Sequence, residues 1–326
     1  RYYKDTTHNS LFKAMKNTFS QNYAPLYSRM VEDRFSVPIP QDTSHINHSF
    51  CTSFYSERVC QGYSLKYVVS GRERYEVNGR MHTVTAGNFL VVSNGSMCKF
   101  QVEEKQTVEG LCLYLDSGLV NQVWQSLQQG GEHLLDRQEA DSASVVPDFY
   151  ENVFKAAHTP GLNSVLTAVQ HTLQASDFSE AEVNEELFYG IAEELCQLQQ
   201  ESQAQLHRLP ALKMATRKEL YRRLLLARDY LHDNLTEPVS LAVLADVASV
   251  SEYHFLRQFK LAFGQSPYQY LLQRRLHLAK QLLQAGGLTV GEAALACGFK
   301  EVQAFSKLFR KATGVAPTVF QRLQKI

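Results

Sequence analysis

Tyr253 and Arg257 stand four residues apart, about one turn of helix, so a helix through both presents them on one face. An arginine so placed can donate two hydrogen bonds to guanine O6 and N7, while a tyrosine can pack on a thymine methyl. Leu256 and Lys260 share that surface; the lysine suits phosphate oxygens, which position a protein on a duplex without reading its sequence. At an offset of 50, Val302, Gln303, Ser306 and Lys307 occupy the corresponding positions, and Arg310 corresponds to Lys260. Glutamine can pair with adenine, whereas Ser and Val discriminate bases weakly. Arg310 and Lys311 suit phosphates. The first set is therefore expected to dominate sequence readout. This is recognition chemistry on double-stranded DNA.

Other reactive residue types do not assemble. His45 and His48 are three apart, upstream of the strand-like region, with no carboxylate placed to complete a metal site; they read as surface residues. The six cysteines (51, 60, 98, 112, 196 and 297) are scattered without a Cys-x-x-Cys pair. They read as buried free thiols of a reducing compartment. No nucleophile constellation is present. The chain is expected to be no enzyme, to hold no metal and to need no cofactor.

The elements that position the recognition residues follow from local pattern. Ser240 is placed as an N-cap, Leu241, Leu244, Ala245 and Ala248 form a short helix, and Ser251 caps a second one over 252–263 that closes at Gly264. Two short helices joined by a tight turn make a helix-turn-helix. The unit then recurs. Phe255 and Phe305, Phe259 and Phe309, Gly264 and Gly314, and Pro267 and Pro317 match at an offset of 50, while upstream of the turn the offset is 49. The second turn, at Gly298-Phe299-Lys300, is thus one residue longer. Between the copies, Pro267 to Gln284 shows helical spacing over about 17 residues, roughly 25 Å. Such a helix could hold two recognition helices about one DNA turn, ~34 Å, apart.

Residues 222–326 resemble the DNA-binding domain of AraC/XylS-type bacterial transcription regulators. The resemblance rests on Leu244-Ala245, Ser251, Arg257-Gln-Phe-Lys260, Gly264-x-Ser-Pro267, Arg275-Leu276 and Ala279. It continues through Ala293-Ala294, Gly298-Phe299, Phe305, Phe309-Arg310, Gly314 and Ala316-Pro317. Phe320-Gln321 departs from the family's usual Tyr-Arg, which would remove one phosphate contact. The resemblance implies a transcription regulator acting on operator or promoter DNA, contacting RNA polymerase if it activates.

Upstream, Tyr63 to Leu115 has the texture of short strands. Tyr63–Val69, Arg74–Val77, Met81–Thr85, Phe89–Val92, Lys99–Val102 and Gly110–Leu115 are separated by Ser70-Gly71, Asn78-Gly79, Ala86-Gly87-Asn88 and Asn94-Gly95. Close, regular spacing predicts a small antiparallel barrel or sandwich. The order of turns resembles the cupin barrel of bacterial sensor domains. However, Ala86 and Asn88 replace that family's Pro and Asp, and Cys98 stands where its His falls. The metal pattern of metal-binding cupins is missing, which removes the Lewis acid of cupin enzymes. What remains is a cavity for a small-molecule effector. Alternation puts Tyr63, Leu65, Tyr67 and Val69 in one inward set, with Tyr75 and Val77 beside it. Tyr63, Tyr67 and Tyr75 could bind an amphipathic ligand, with charged candidates such as Lys66, Arg72, Arg74 and His82 orienting an acidic one. Equally, the rings could simply fill the core, leaving a ligand-free barrel used for dimerisation or protein contacts.

After Leu115 the period becomes helical. Leu119, Val123, Trp124 and Leu127 share a face, and Pro147 opens an expected helix over 149–157. A long helix over 180–206 carries Val183, Leu187, Ile191, Leu195 and Leu198, a stripe that could pack internally or form a homodimer. The expected organisation is α+β: a cupin-like antiparallel β-barrel with an N-terminal arm (1–118), a helical dimerisation region (119–206), a linker (207–221) and an all-α domain (222–326). In that last domain two helix-turn-helix units are joined by a long helix.

Charge supports this division. The chain of 326 residues has 33 basic and 33 acidic side chains, which naively argues against a polyanion partner. Residues 1–216, however, hold 17 basic and 25 acidic side chains, and residues 217–326 hold 16 and 8. An acidic control part is joined to a basic one. No stretch approaches the ~18 apolar residues of a spanning helix, and Arg1-Tyr2-Tyr3-Lys4-Asp5 lacks the texture of a secretory leader. A cytoplasmic protein without membrane partners is expected.

Overall fold

Asn78 and Gly79 take φ of 50° and 80°, the left-handed pair that a two-residue hairpin turn needs. They join β5 (Arg72–Val77) to β6 (Arg80–Thr85) in an antiparallel ladder. The computed structural model describes residues 26–32, 34–35, 42–129, 149–175, 183–210 and 213–323. The chain divides into two compact units between Cys196 and Gln197.

The first unit is built on one nine-stranded sheet. Its strands are β1 (Tyr27–Val31), β2 (Arg34–Phe35), β3 (His45–Val59), β4 (Tyr63–Ser70), β5, β6, β7 (Asn88–Val92), β8 (Met97–Leu115) and β9 (Val153–Lys155). The main path runs β2-β1-β3-β8-β4-β7-β9, and β5 pairs with β6 and β8. The sheet is mixed rather than wholly antiparallel, because β1 runs parallel to β3. Met30, Val68, Tyr75, Val77, Val84, Leu90 and Val102 form a buried core between its faces. The other face of β4 and β7 is covered too: Phe149 packs on Tyr63 and Trp124, and Phe154 stacks on Phe89.

Three expectations for this unit are corrected. The strands begin well before Tyr63, since the 15-residue β3 pairs along β8. His45 and His48 therefore lie buried in the sheet rather than at the surface, His45 against Ser28 Oγ (2.7 Å) and His48 against Glu109 Oε1 (2.9 Å). Residues 99–102 and 110–115 belong to one strand, β8, of 19 residues. The helix expected over 149–157 is not formed. Val153 and Phe154, β-branched and aromatic, instead make β9, which extends the sheet at β7, and Ala156–His158 is a single 3-10 turn.

Helices α1 (Ser117–Gln129) and α2 (Pro160–Gln174) follow the strands. Helix α3 (Glu185–His207) falls within the expected 180–206, of which residues 180–182 lie outside the described residues. Its stripe of Phe188, Ile191, Ala192, Leu195 and Cys196 is fully buried within the single chain.

The second unit holds α4 (Met214–Asp233), α5 (Leu241–Val247), α6 (Glu252–Phe263), α7 (Pro267–Ala285), α8 (Val290–Ala296), α9 (Val302–Thr313) and α10 (Pro317–Leu323). Helix α4 opens at Met214, inside the stretch 207–221 read as linker. Ser240, Ser251, Ser266 and Thr289 each cap a following helix with the side-chain oxygen, Ser266 and Thr289 in full capping boxes. Gly264 and Gly314 close α6 and α9 at φ of 74° and 81°. Among the described residues no helix is long and apolar enough to cross a membrane.

Candidate nucleic-acid interface and sheet cavity

Each helix-turn-helix buries two phenylalanines and exposes the opposite face of its second helix. On α6, Phe255 and Phe259 are fully buried and pack on each other with tilted rings, 5.4 Å between centroids. Tyr253 is 79% exposed, and Leu256, Arg257 and Lys260 are exposed beside it. On α9, Phe305 and Phe309 repeat the buried pair at 5.4 Å. Val302, Gln303, Lys307 and Arg310 are exposed, and Ser306 is half-buried. Fully buried apolar rings fix the rotation of each helix about its axis, so the recognition face follows from the core face. Among the described residues Arg257, Lys260, Lys307 and Arg310 have no hydrogen-bond or ion-pair partner, so their donors are open to an incoming polyanion. Exposed His254, in the first turn of α6, was missed by the pairing of Tyr253 with Arg257.

Within the second unit the two helix-turn-helix motifs are joined by α7, 19 residues and about 28 Å long. Arg275 on this helix donates from Nε to the Leu235 carbonyl (2.5 Å) and from Nη2 to the Glu237 carbonyl (2.9 Å), both just before α5. Its Nη1 donates to the Gly298 carbonyl (2.9 Å), in the turn between α8 and α9. One guanidinium thus satisfies three backbone acceptors from the two motifs. Gly298 has φ of 78°, and a Cβ there would overlap the Thr236 backbone, so this turn needs glycine. Ser249 holds the corresponding place in the first turn, at φ of 52°. Gln321, the departure from the family pattern, donates to the Leu288 carbonyl (2.6 Å) and is engaged inside the fold.

In the first unit a cavity of about 210 Å³ lies between β3, β4, β5 and β8. Of the sequence-derived ligand candidates Tyr75 and Lys66 border it. Tyr63 faces the other side of β4, against Phe149, and half-buried Tyr67 shares its parity. Arg74 is exposed, and His82 is buried on β6 without bordering the cavity. Strand parity was assigned one residue out: β4 is covered on both faces, so alternation does not mark its cavity side. That side instead presents Lys66, one of the charged candidates. Glu73 on β5 also borders the cavity and is pushed up to about 7 by burial, while the Tyr75 hydroxyl donates to it at 2.6 Å. Among the described residues no group of three metal-ligating side chains occurs.

Comparison with known proteins agrees with this two-part layout. Residues 44–191 match the AraC-like ligand binding domain, and residues 244–323 match a helix-turn-helix domain. The probable transcriptional regulator LumQ of Photobacterium leiognathi is 36% identical over 98 residues, 30% of this chain and 40% of LumQ. The bifunctional transcriptional activator/DNA repair enzyme AdaA of Bacillus subtilis is 35% identical over 101 residues, 31% of this chain and 48% of AdaA. The match therefore spans less than half the length of these curated relatives. A crystal structure of an AraC-type transcriptional regulator from Chromobacterium violaceum is 31% identical, covering 31% of this chain and 91% of that one at a TM-score of 0.30. With an AraC-like ligand binding domain followed by a helix-turn-helix domain shared with such regulators, the chain belongs to the AraC/XylS family.

Proposed function

We propose that this protein is a sequence-specific DNA-binding transcription regulator, controlled by a small molecule held in its N-terminal unit. The observation that carries the reading is the pair of exposed helix faces, Tyr253-Leu256-Arg257-Lys260 on α6 and Val302-Gln303-Ser306-Lys307-Arg310 on α9, held on one rigid helix. Arg257 donates to guanine, Tyr253 and Leu256 pack on thymine methyls, and Gln303 pairs with adenine. Lys260 and Arg310 hold phosphates. The protein does no catalysis of its own, acts in the bacterial cytoplasm and contacts RNA polymerase where it activates. A homodimer along residues 180–206 would not use the buried stripe of α3. It would use half-buried Leu187 and Leu198, eleven residues apart and so on one line of the helix.

The test is a DNA-binding titration of the full chain against promoter fragments at several salt concentrations. Binding should weaken steeply with salt, as expected for phosphate contacts, and should survive competition by unrelated DNA. Salt-independent binding, or no preference over competitor, would contradict the proposal.

A further inference from the structure

Lys66 is only 6% exposed. Its ammonium donates to the Cys112 sulfur at 2.7 Å and to the Tyr114 hydroxyl at 3.3 Å, and it lies 4.3 Å from the centre of the Tyr114 ring. Arg58, exposed at the cavity mouth, donates to the same hydroxyl and sits 5.1 Å from the same ring. Among the described residues neither cation has a carboxylate within ion-pair distance. A buried ammonium loses its hydration, and a thiol, a phenol and a ring face repay only part of that loss. Burial pushes the Cys112 thiol up to about 11, so it is neutral at ordinary pH and supplies no counter-charge. The Tyr114 oxygen accepts from two cations, which leaves its own hydrogen to donate elsewhere. Three donors converge at one end of the cavity, and the Glu73 carboxyl, on which Lys66 acts electrostatically, lies across it.

The rest of the cavity restricts what that anion is attached to. Glu73, 2% exposed, sits where a Cβ on Gly110 would overlap its carboxylate. Gly110 and Cys112 are alternate residues of β8, about 7 Å apart, so the Lys66 ammonium and the Glu73 carboxyl bracket the space at roughly that distance. On the same cavity wall Phe100 stacks on Tyr75 at 4.9 Å and packs on Phe54 at 5.5 Å. The volume, about 210 Å³, is below the ~300–1,000 Å³ of drug-sized sites, which leaves room for one ring and its substituents.

We propose that the cavity binds a small aromatic carboxylate bearing a hydroxyl across the ring: the carboxylate meets Lys66, Arg58 and Tyr114, the ring lies against Phe54 and Phe100, and the hydroxyl donates to Glu73. This rests on the reading of the N-terminal unit as the effector site and supplies its ligand class. The carboxyl group of Glu73 accepts through an oxygen in either charge state, so the hydroxyl contact persists on both sides of neutral pH.

The experiment is calorimetric titration of the full-length protein with 4-hydroxybenzoate and with 4-hydroxybenzamide, its uncharged near-isostere. The acid should bind at least about tenfold more tightly than the amide. Lys66→Met should bring the two within about twofold, while its melting temperature stays at or above that of the native chain because a buried unpaired cation is gone. Arg58→Gln, at an exposed position, should keep the fold and weaken the acid at least about threefold. If Lys66→Met fails to fold, Arg58→Gln decides the outcome alone. Equal affinities in the native protein, no binding of the acid at millimolar concentration, or an acid affinity unchanged by either substitution would overturn the proposal. A DNA-binding titration of the same preparation separates the two readings: retained DNA binding without acid binding overturns the ligand class alone, whereas lost DNA binding overturns the regulator.

Discussion

At the scale of single residues the proposed sequence readout rests most on Arg257, whose fork of donors is open and lies on the exposed face of α6. Arg257→Ala should cost about 1–3 kcal/mol in specific DNA affinity and relax preference at one base position. Lys260→Ala should instead weaken all sequences alike and lower the salt slope by about one. Competition titrations at two salt concentrations separate these outcomes. Glu73 gives a second prediction, in stability. Its folded-state pKa, about 7, lies above the ordinary 4.5, so the native state holds a proton that the unfolded chain releases. Its destabilising effect is full above pH 7, diminishes as pH falls through 7 and is gone below about 4.5. Glu73→Gln should therefore raise stability above pH 7 by on the order of 2–3 kcal/mol and flatten the pH dependence between those limits. Denaturant melts of both proteins at pH 5 and pH 8 check it; equal differences at the two pH values would refute it.

The helix-turn-helix elements were legible in the sequence because their signals are local and occur twice. Ser240 and Ser251 cap where the pattern places them, the Phe255/Phe259 and Phe305/Phe309 pairs are buried, and the longer second turn is present. The sheet was less legible. The cavity-facing side of β3 carries Asn47, Ser49 and Ser56, so a polar wall hid a strand that apolar alternation would have revealed. The exposed run Lys105-Gln106-Thr107 interrupts β8 and made one strand read as two. Lys66 was legible only as one charge among four on these strands, since a charge inside a sheet has no period to separate it from Arg72, Arg74 and His82. The turns give the element-scale predictions. Ser249 is held at φ of 52° where the second motif has Gly298, so Ser249→Gly should stabilise the protein by about 0.5–1 kcal/mol, provided relief of strain exceeds the added chain entropy. Arg275→Met leaves three carbonyls without their donor and should cost about 2–4 kcal/mol. Thermal melts of both variants test these signs.

Across the whole chain, equal numbers of acidic and basic residues conceal an acidic N-terminal part and a basic C-terminal part. The basic part carries both proposed recognition faces, on α6 and α9, joined by α7 of about 28 Å; the proposal has them read DNA about one turn, ~34 Å, apart. Because that spacer is a helix and not a loop, the proposal expects binding to weaken when the two DNA segments are moved apart. The most direct measurement is enrichment of random DNA by the full-length protein, run in parallel with Arg257→Ala and Gln303→Ala. The account predicts a two-part motif with centres about 10 base pairs apart, with Arg257→Ala erasing preference in one part only and Gln303→Ala weakening it in the other. A motif left unchanged by both substitutions, or no enriched motif at all, would contradict it.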